Sequence, residues 1–316
     1  MQQIIFNCQT ITPMFLAGAN GTTPELRPPS IKGALRFWWR AMNGHLTLEK
    51  LRAQEGAIFG DTQQRSKIII QVNDEEIEPS NALLPQDNNY KRNTSGTNKS
   101  VNILEYLAYG VVAKPGSIER SYFPVGSSFQ IKVKCPDEML TMIKELFEMV
   151  SLFGGFGSRS RNGYGSFLIE SSKLDIIQRF KKYKKGSLKN YSAFSEKALL
   201  FTGKDTHDNW EKALLEVGDA YRTARLALED RHYGSQRKMI AQPLSIKDAK
   251  DTTIVKINGK KLERNAKCFF IGVTKEDKKY KGHILYLPHT IDELDGYQKP
   301  NNSLANHLKG ILTEIK

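Results

Sequence analysis

Two small α+β units are the fold class this sequence predicts, and three observations predict it. The 316 residues exceed one typical domain of roughly 100–200 residues. Hydrophobic residues at 39% and charged residues at 26% give a globular balance rather than a disordered one. In both halves, segments whose apolar residues alternate are interleaved with segments whose apolar residues recur at helical spacing. That order suits strands and helices packed in two layers. No run of about 18 apolar residues is present, so no spanning helix is expected. The amino-terminal stretch lacks the basic start and long apolar run of a signal peptide. Cys8, Cys135 and Cys268 are odd in number and far apart, which suits neither a disulfide framework nor a zinc site. The expectation is a cytoplasmic chain with no metal and no cofactor.

The elements follow in order. Ile4 to Ile11 reads as a short strand, and a turn-rich loop runs from Pro13 to Pro29. Ser30 is placed to cap a helix from Ile31 to about Met42. Leu35, Trp38, Trp39 and Met42 share one face of it and belong to the core, whereas Lys32, Arg36 and Arg40 lie on another stripe. Lys67 to Val72 reads as a strand. Residues 79–100 are polar and rich in turn formers, as in a long mobile insertion. Val101 to Tyr109 suits a short helix and Ser128 to Lys134 a strand. Asp137 opens a helix whose stripe includes Ile143, Leu146, Phe147 and Val150, and Gly154-Gly155 ends it. Tyr164 to Ile169 reads as the strand that closes a first domain, residues 1–170. Residues 171–197 form a basic connector. The second domain, 198–316, opens with a helix from Asp208 to Asp230. Strands follow near Leu244–Ile246, Thr253–Ile257, Cys268–Val273 and His283–Leu287, then a helix from about Ser303 that buries Leu304, Leu308, Ile311, Leu312 and Ile315. No sequence repeat relates the two units.

The net charge of +13 is uneven: +2 over residues 1–170 and +11 over 171–316. Such a field attracts polyanions, yet by itself it fits RNA, DNA, an anionic membrane, an acidic protein or a solvated surface. Two segments carry more specific chemistry. The first is the helix start at Ser30, where unpaired N–H groups and the helix dipole suit a phosphate oxygen. Gly33 would let another backbone approach closely, and Lys32, Arg36 and Arg40 line about 12 Å of helix at 1.5 Å per residue. The second is Gly154–Phe167, in which Ser158, Arg159, Ser160 and Arg161 stand among glycines. Glycines let a chain curl so that successive N–H groups face an anion; a plain helix exit or hairpin is the competing explanation. The segment follows a helix and precedes a strand, the wrong place for a dinucleotide fingerprint, and it lacks the Gly-Lys-Ser/Thr ending of a P-loop.

The string Glu25 to Ala41 (ELRPPSIKGALRFWWRA) closely resembles the start of the RAMP-superfamily subunit one of the Cmr complex, the type III-B CRISPR effector. The segment GFGSRSRNGYGSF resembles that family's glycine-rich loop, in the expected order. The resemblance implies two ferredoxin-like (RRM-related) domains and a non-catalytic subunit. It implies one that holds the 3′ part of the guide RNA at one end of the filament, beside other RAMP subunits and the target RNA, in antiviral defence. Carried onto matching positions, Ser30, Lys32, Arg36 and Arg40 contact guide RNA from the helix. Gly157, Ser158, Arg159, Arg161 and Asn162 do so from the loop. Most such contacts should be to phosphate and sugar, because a guide holder must accept many sequences.

Two other classes stay open on the residues alone. A RAMP endoribonuclease that processes guide precursors would need a base and an acid, for which His45 and His232-Tyr233 are the local candidates. Its glycine-rich segment would lie near the carboxyl terminus, not mid-chain as here. A purely protein-binding scaffold would use the apolar helix faces and the 79–100 insertion. The run RFKKYKK at 179–185 reads as an exposed connector rather than a membrane helix, with Tyr183 able to stack on a base. Arg222, Arg225 and Arg231 could add a second RNA stripe or form a solvated face. His283 and His289 lack a third metal ligand at useful spacing.

Overall fold

A computed structural model describes the chain except residues 19, 22, 75, 94–99, 113, 171, 173, 231–232, 243–255, 258–259, 262–264 and 292–295. Its helices are α1 (Pro28–Met42), α2 (Leu48–Phe59), α3 (Ile103–Leu107), α4 (Leu140–Phe153), α5 (Ile176–Tyr183), α6 (Trp210–Leu226), α7 (Ser235–Ile240) and α8 (Gln298–Lys309).

Two four-stranded antiparallel sheets organise these helices. Across the first sheet lie strands Ile69–Asn73, Ser128–Cys135, Gln2–Thr10 and Phe167–Ile169, in that order. Across the second lie Phe269–Glu276, Lys279–Tyr286, Leu199–Thr202 and Thr313–Ile315. Numbered along the chain within each half, both sheets run second, third, first, fourth. In each, one helix joins the first two strands in the pattern and another joins the last two: α1 and α4 in the first half, α6 and α8 in the second. Both halves are therefore ferredoxin-like units of one topology, although no sequence repeat marks them.

Period-2 alternation sets the first sheet. Phe129, Ile131, Val133 and Cys135 point inward, whereas Ser128, Gln130, Lys132 and Lys134 point outward. The inner face receives α1 and α4. Trp38 and Trp39 are buried, as their spacing with Leu35 and Met42 predicts. Trp38 packs on Phe153 of α4 and on Phe270 of the second sheet, with ring centroids 6.3 and 5.4 Å apart. Both hydrophobic clusters draw on both halves: one joins Trp38 to Phe270 and Leu285, the other joins Phe15 and Leu107 to Phe201 and Leu214. The three cysteines are buried and unbridged. No helix among the described residues is long and apolar enough to cross a membrane.

The structure departs from the sequence reading at several elements. α2 was not anticipated; Thr47 caps it, and its apolar positions are few. The 171–197 connector contains α5, whose start is capped by Asp175. Phe180 and Tyr183 are buried there, Tyr183 donates to Glu145 Oε2 at 2.9 Å, and Arg179 and Lys182 also reach Glu145. Tyr183 is thus a core contact, closed to a base. Strand Leu199–Thr202 was missed. The last helix spans Gln298–Lys309, and Ile315 lies in a strand that pairs with Leu200. Of the 79–100 insertion, Lys91–Asn93 pairs with Ser100–Asn102, and Arg92 Nε donates to Asp219 of α6 at 2.8 Å. The expected strand Leu244–Ile246, most of Thr253–Ile257, and Arg231 and His232 lie outside the described residues.

Candidate nucleic-acid interface

α1 starts three residues earlier than the sequence predicts. Arg27 is extended at the cap position, and Pro28 and Pro29 open the helix, because a proline there loses no hydrogen bond and brings its φ preset. This overturns the expected set of free donors. Pro28 and Pro29 have no N–H, and the N–H groups of Ser30 and Ile31 both donate to Arg27 O, at 3.0 and 3.1 Å. What α1 offers an anion is its dipole, the exposed Ser30 hydroxyl and the Lys32 ammonium. Partial burial, and then the charge of Arg36, push Lys32 below its ordinary pKa. Gly33 meets no close backbone of this chain: a Cβ there would find nothing within 4 Å.

Arg36 and Arg40 are not the free cations the sequence suggested. Glu55 of α2 accepts from Arg36 Nε at 2.7 Å and from Arg40 Nη1 at 2.6 Å through the same oxygen. The Glu55 side chain is only 11% exposed, against 33% and 36% for the arginines. A buried carboxylate needs such partners, and the trio retains one net positive charge.

In the glycine-rich loop, Gly157 and Gly165 have φ of 85° and 71°. A Cβ on Gly157 would lie 2.3 Å from Phe15 O, and on Gly165 1.9 Å from Phe156 O. The glycines therefore serve close approach of the chain to itself. Ser158 N–H donates to Phe15 O at 2.7 Å and Phe156 N–H to Gly165 O at 3.0 Å, so these donors are not aimed at a ligand. Arg159 is left-handed at φ 64°. Its guanidinium lies over Gly110, beside Tyr109, which is 71% exposed. Burial, then the charge of Arg120, lower the Arg159 pKa. Arg161 is held between Phe37 and Phe270, 5.0 and 4.6 Å from their ring centroids, and its Nη1 donates to Lys267 O at 2.7 Å. Asn162 Nδ2 donates to Leu107 O at 2.7 Å.

The nine predicted residues therefore separate. Ser30, Gly157 and Ser158 line one cleft of about 330 Å³, together with Ser160, Glu25 and Ala34. Lys32 lies in the α1 turn that follows Ser30, and Arg159 stands between two lining residues of the loop. Arg36 and Arg40 lie farther along α1, on Glu55. Arg161 and Asn162 tie the loop to the rest of the chain. On α6, Arg222 is buried and Arg225 donates to Tyr106 Oη at 3.1 Å, so these two arginines form neither a second RNA stripe nor a solvated face. Among the described residues, no group of three His, Cys, Asp or Glu side chains could hold a metal. Sequence reasoning missed Glu55 and Tyr109. The Thr47 cap before Leu48–Phe59 was the available signal for Glu55, and nothing local marked Tyr109 as exposed.

Residues 7–168 match the family model of the RAMP superfamily. The Cmr subunit Cmr1-2 of Pyrococcus furiosus is 30% identical over 188 residues, which cover 54% of this chain and 96% of that relative. The crystal structure of Cmr1 from Pyrococcus furiosus superposes with a TM-score of 0.60 at 20% identity, covering 100% of this chain and 99% of that one. A chain of the type III-B Cmr-beta complex bound to cognate target RNA, seen by cryo-electron microscopy, superposes with a TM-score of 0.54 at 13% identity over 96% of this chain and 99% of that chain.

Proposed function

Because the chain belongs to the RAMP superfamily, and within it to the Cmr1 subunits, we propose that it is a non-catalytic subunit of a type III-B CRISPR effector that holds guide RNA. The strand lies in the cleft between the start of α1 and the glycine-rich loop. The observation that carries this reading is that Ser30 and Ser158, 128 positions apart in sequence, line one cleft. Hydroxyls of Ser30, Ser158 and Ser160 meet sugar and phosphate oxygens, and Lys32 and Arg159 supply the charge. Such contacts fix a strand's path without reading its bases, and base pairing reads the target. The guide's 3′ part lies here, at one end of a filament whose other Cmr subunits and target RNA are the further partners, in the cytoplasm.

The test is binding of single-stranded RNA over a salt series by the full chain, with Lys32→Gln and Arg159→Gln compared with wild type. Each substitution removes one phosphate contact, so binding weakens and the slope of log K against log salt flattens by about 0.7. Unchanged affinity and slope in both variants would remove the cleft from the RNA path.

A further inference from the structure

A second pocket, of about 250 Å³, opens farther along α1. Phe37 and Arg40 of α1, Arg161 of the loop, Tyr191, Asn265 and His289 border it. We propose that this pocket binds a single phosphoryl group carried by a nucleotide. The proposal goes beyond the strand-holding cleft and does not depend on it.

Two fixed guanidiniums meet here. Arg40 is held through Nη1 by Glu55, and Arg161 through Nη1 by Lys267 O and by the two phenyl rings that sandwich it. Among the described residues the other N–H groups of both forks have no protein partner. Preset forks of this kind match the oxygens of a phosphate, and little ordering is lost when it binds. No aspartate or glutamate borders the pocket. Glu55 is shared by Arg36 and Arg40, and no carboxylate of the described residues pairs with Arg161. The local field therefore asks for an anion.

The pocket wall also carries an unanswered donor. The Tyr191 hydroxyl is buried and has no partner among the described residues. A buried hydroxyl left unpaired is costly, and an oxyanion in the pocket would accept a hydrogen bond from it. Burial raises the Tyr191 pKa, so that proton is present at neutral pH. His289 is wall rather than cation. Its Nδ1 faces Ser192 Oγ at 3.4 Å and its Nε2 faces Tyr297 Oη at 3.0 Å, and burial, then the charge of Arg161, hold its pKa down.

Size and place agree. The volume falls below the roughly 300–1,000 Å³ of ordinary ligand pockets, so it suits a phosphate and an attached sugar rather than a larger molecule. The pocket continues the cleft: Ala34 borders the cleft and Phe37 the pocket, and Ser160 borders the cleft and Arg161 the pocket. Ser30 and Arg40 are about 15 Å apart along the helix axis. A free nucleotide, or the phosphorylated end of a strand leaving the cleft, can therefore supply the group.

Calorimetric titration of the full chain with inorganic phosphate, AMP and adenosine tests this. Phosphate and AMP should compete for one site, and adenosine should not bind. Tyr191→Phe removes only the hydroxyl and should weaken AMP about tenfold without lowering the melting temperature. Arg40→Gln should weaken it similarly, whereas Lys32→Gln, outside the pocket, should not. Short RNAs ending in phosphate or in hydroxyl separate the two sources. A preference for the phosphate end that vanishes in Tyr191→Phe assigns a strand terminus; equal RNA binding with AMP binding retained assigns a free nucleotide. Adenosine binding as tightly as AMP, wild-type AMP affinity in both pocket variants, or no binding of any phosphate compound would overturn the proposal.

Discussion

α1 and α6 occupy the same place in two units of one topology, yet they face different surroundings. α1 turns Ser30, Ile31 and Ala34 toward an open cleft. α6 is covered by the first half. A Cβ on its Gly218 would lie 2.7 Å from Leu107 of α3, and Asp219 holds Arg92 of the inserted hairpin. Arg225 reaches Tyr106, and Arg222 is buried. Topology sets where a helix lies, and what is inserted between the strands decides whether that helix stays open to a ligand. In this chain the segment after Ile69–Asn73 closes α6 and leaves α1 free.

The largest test of that contrast is a substitution beneath α6. Gly282 lies in the strand under that helix, and a Cβ there would sit 2.3 Å from the backbone oxygen of Ala213 and 2.8 Å from Val217. A helix backbone cannot yield as a flexible side chain can, so Gly282→Ala should cost about 3 kcal/mol. Urea unfolding of the full chain measures it. An unchanged midpoint would mean that α6 is seated less tightly on its sheet than α1 is.

A comparable effect should come from acid. His283 is 1% exposed, neither ring nitrogen has a partner among the described residues, and its ring meets Phe153 of α4 edge-on at 6.0 Å. Gly272 sits opposite it and makes room for the ring. Burial lowers its pKa from 6.5 to about 4. Below pH 6.5 the unfolded chain takes up a proton that the folded chain refuses until pH 4. Stability therefore falls as pH drops through that window, by on the order of 3 kcal/mol in all. His283→Phe should flatten the dependence measured by urea unfolding at pH 7 and pH 4.5. An equal slope in the variant would assign the acid sensitivity elsewhere.

Regular periodicity made much of this fold legible. The stripe Leu35–Trp38–Trp39–Met42 and the alternation of Ser128–Cys135 both read directly, because one face of each element is buried. Elements with weak patterns did not read. α2 buries few apolar side chains, and Leu199–Thr202 and Thr313–Ile315 are too short to show alternation, so their pairing is a tertiary fact. The residue patterns therefore did not show the shared topology of the halves, which only the family resemblance implied. In the candidate site, residue types read better than their partners did. Lys32 and Arg159 were legible as cations, but that Arg36 and Arg40 converge on Glu55, or that Arg161 is stacked between Phe37 and Phe270, depends on elements distant in sequence.

The smallest expected effect sharpens the comparison most. Gly33 is the one glycine of α1, as the crowded Gly218 is of α6, and a Cβ at Gly33 meets nothing within 4 Å. Glycine inside a helix costs about 1 kcal/mol relative to alanine, so Gly33→Ala should stabilise the chain by up to about that amount. Gly33 also stands three residues after Ser30 of the cleft and four before Phe37 of the second pocket, on the helix face that joins them. A strand running from one to the other would pass over it and meet the added methyl. Stability and RNA affinity should then move in opposite directions, the first read by urea unfolding and the second by titration with single-stranded RNA. A gain in stability with RNA affinity untouched would place the strand on another side of α1.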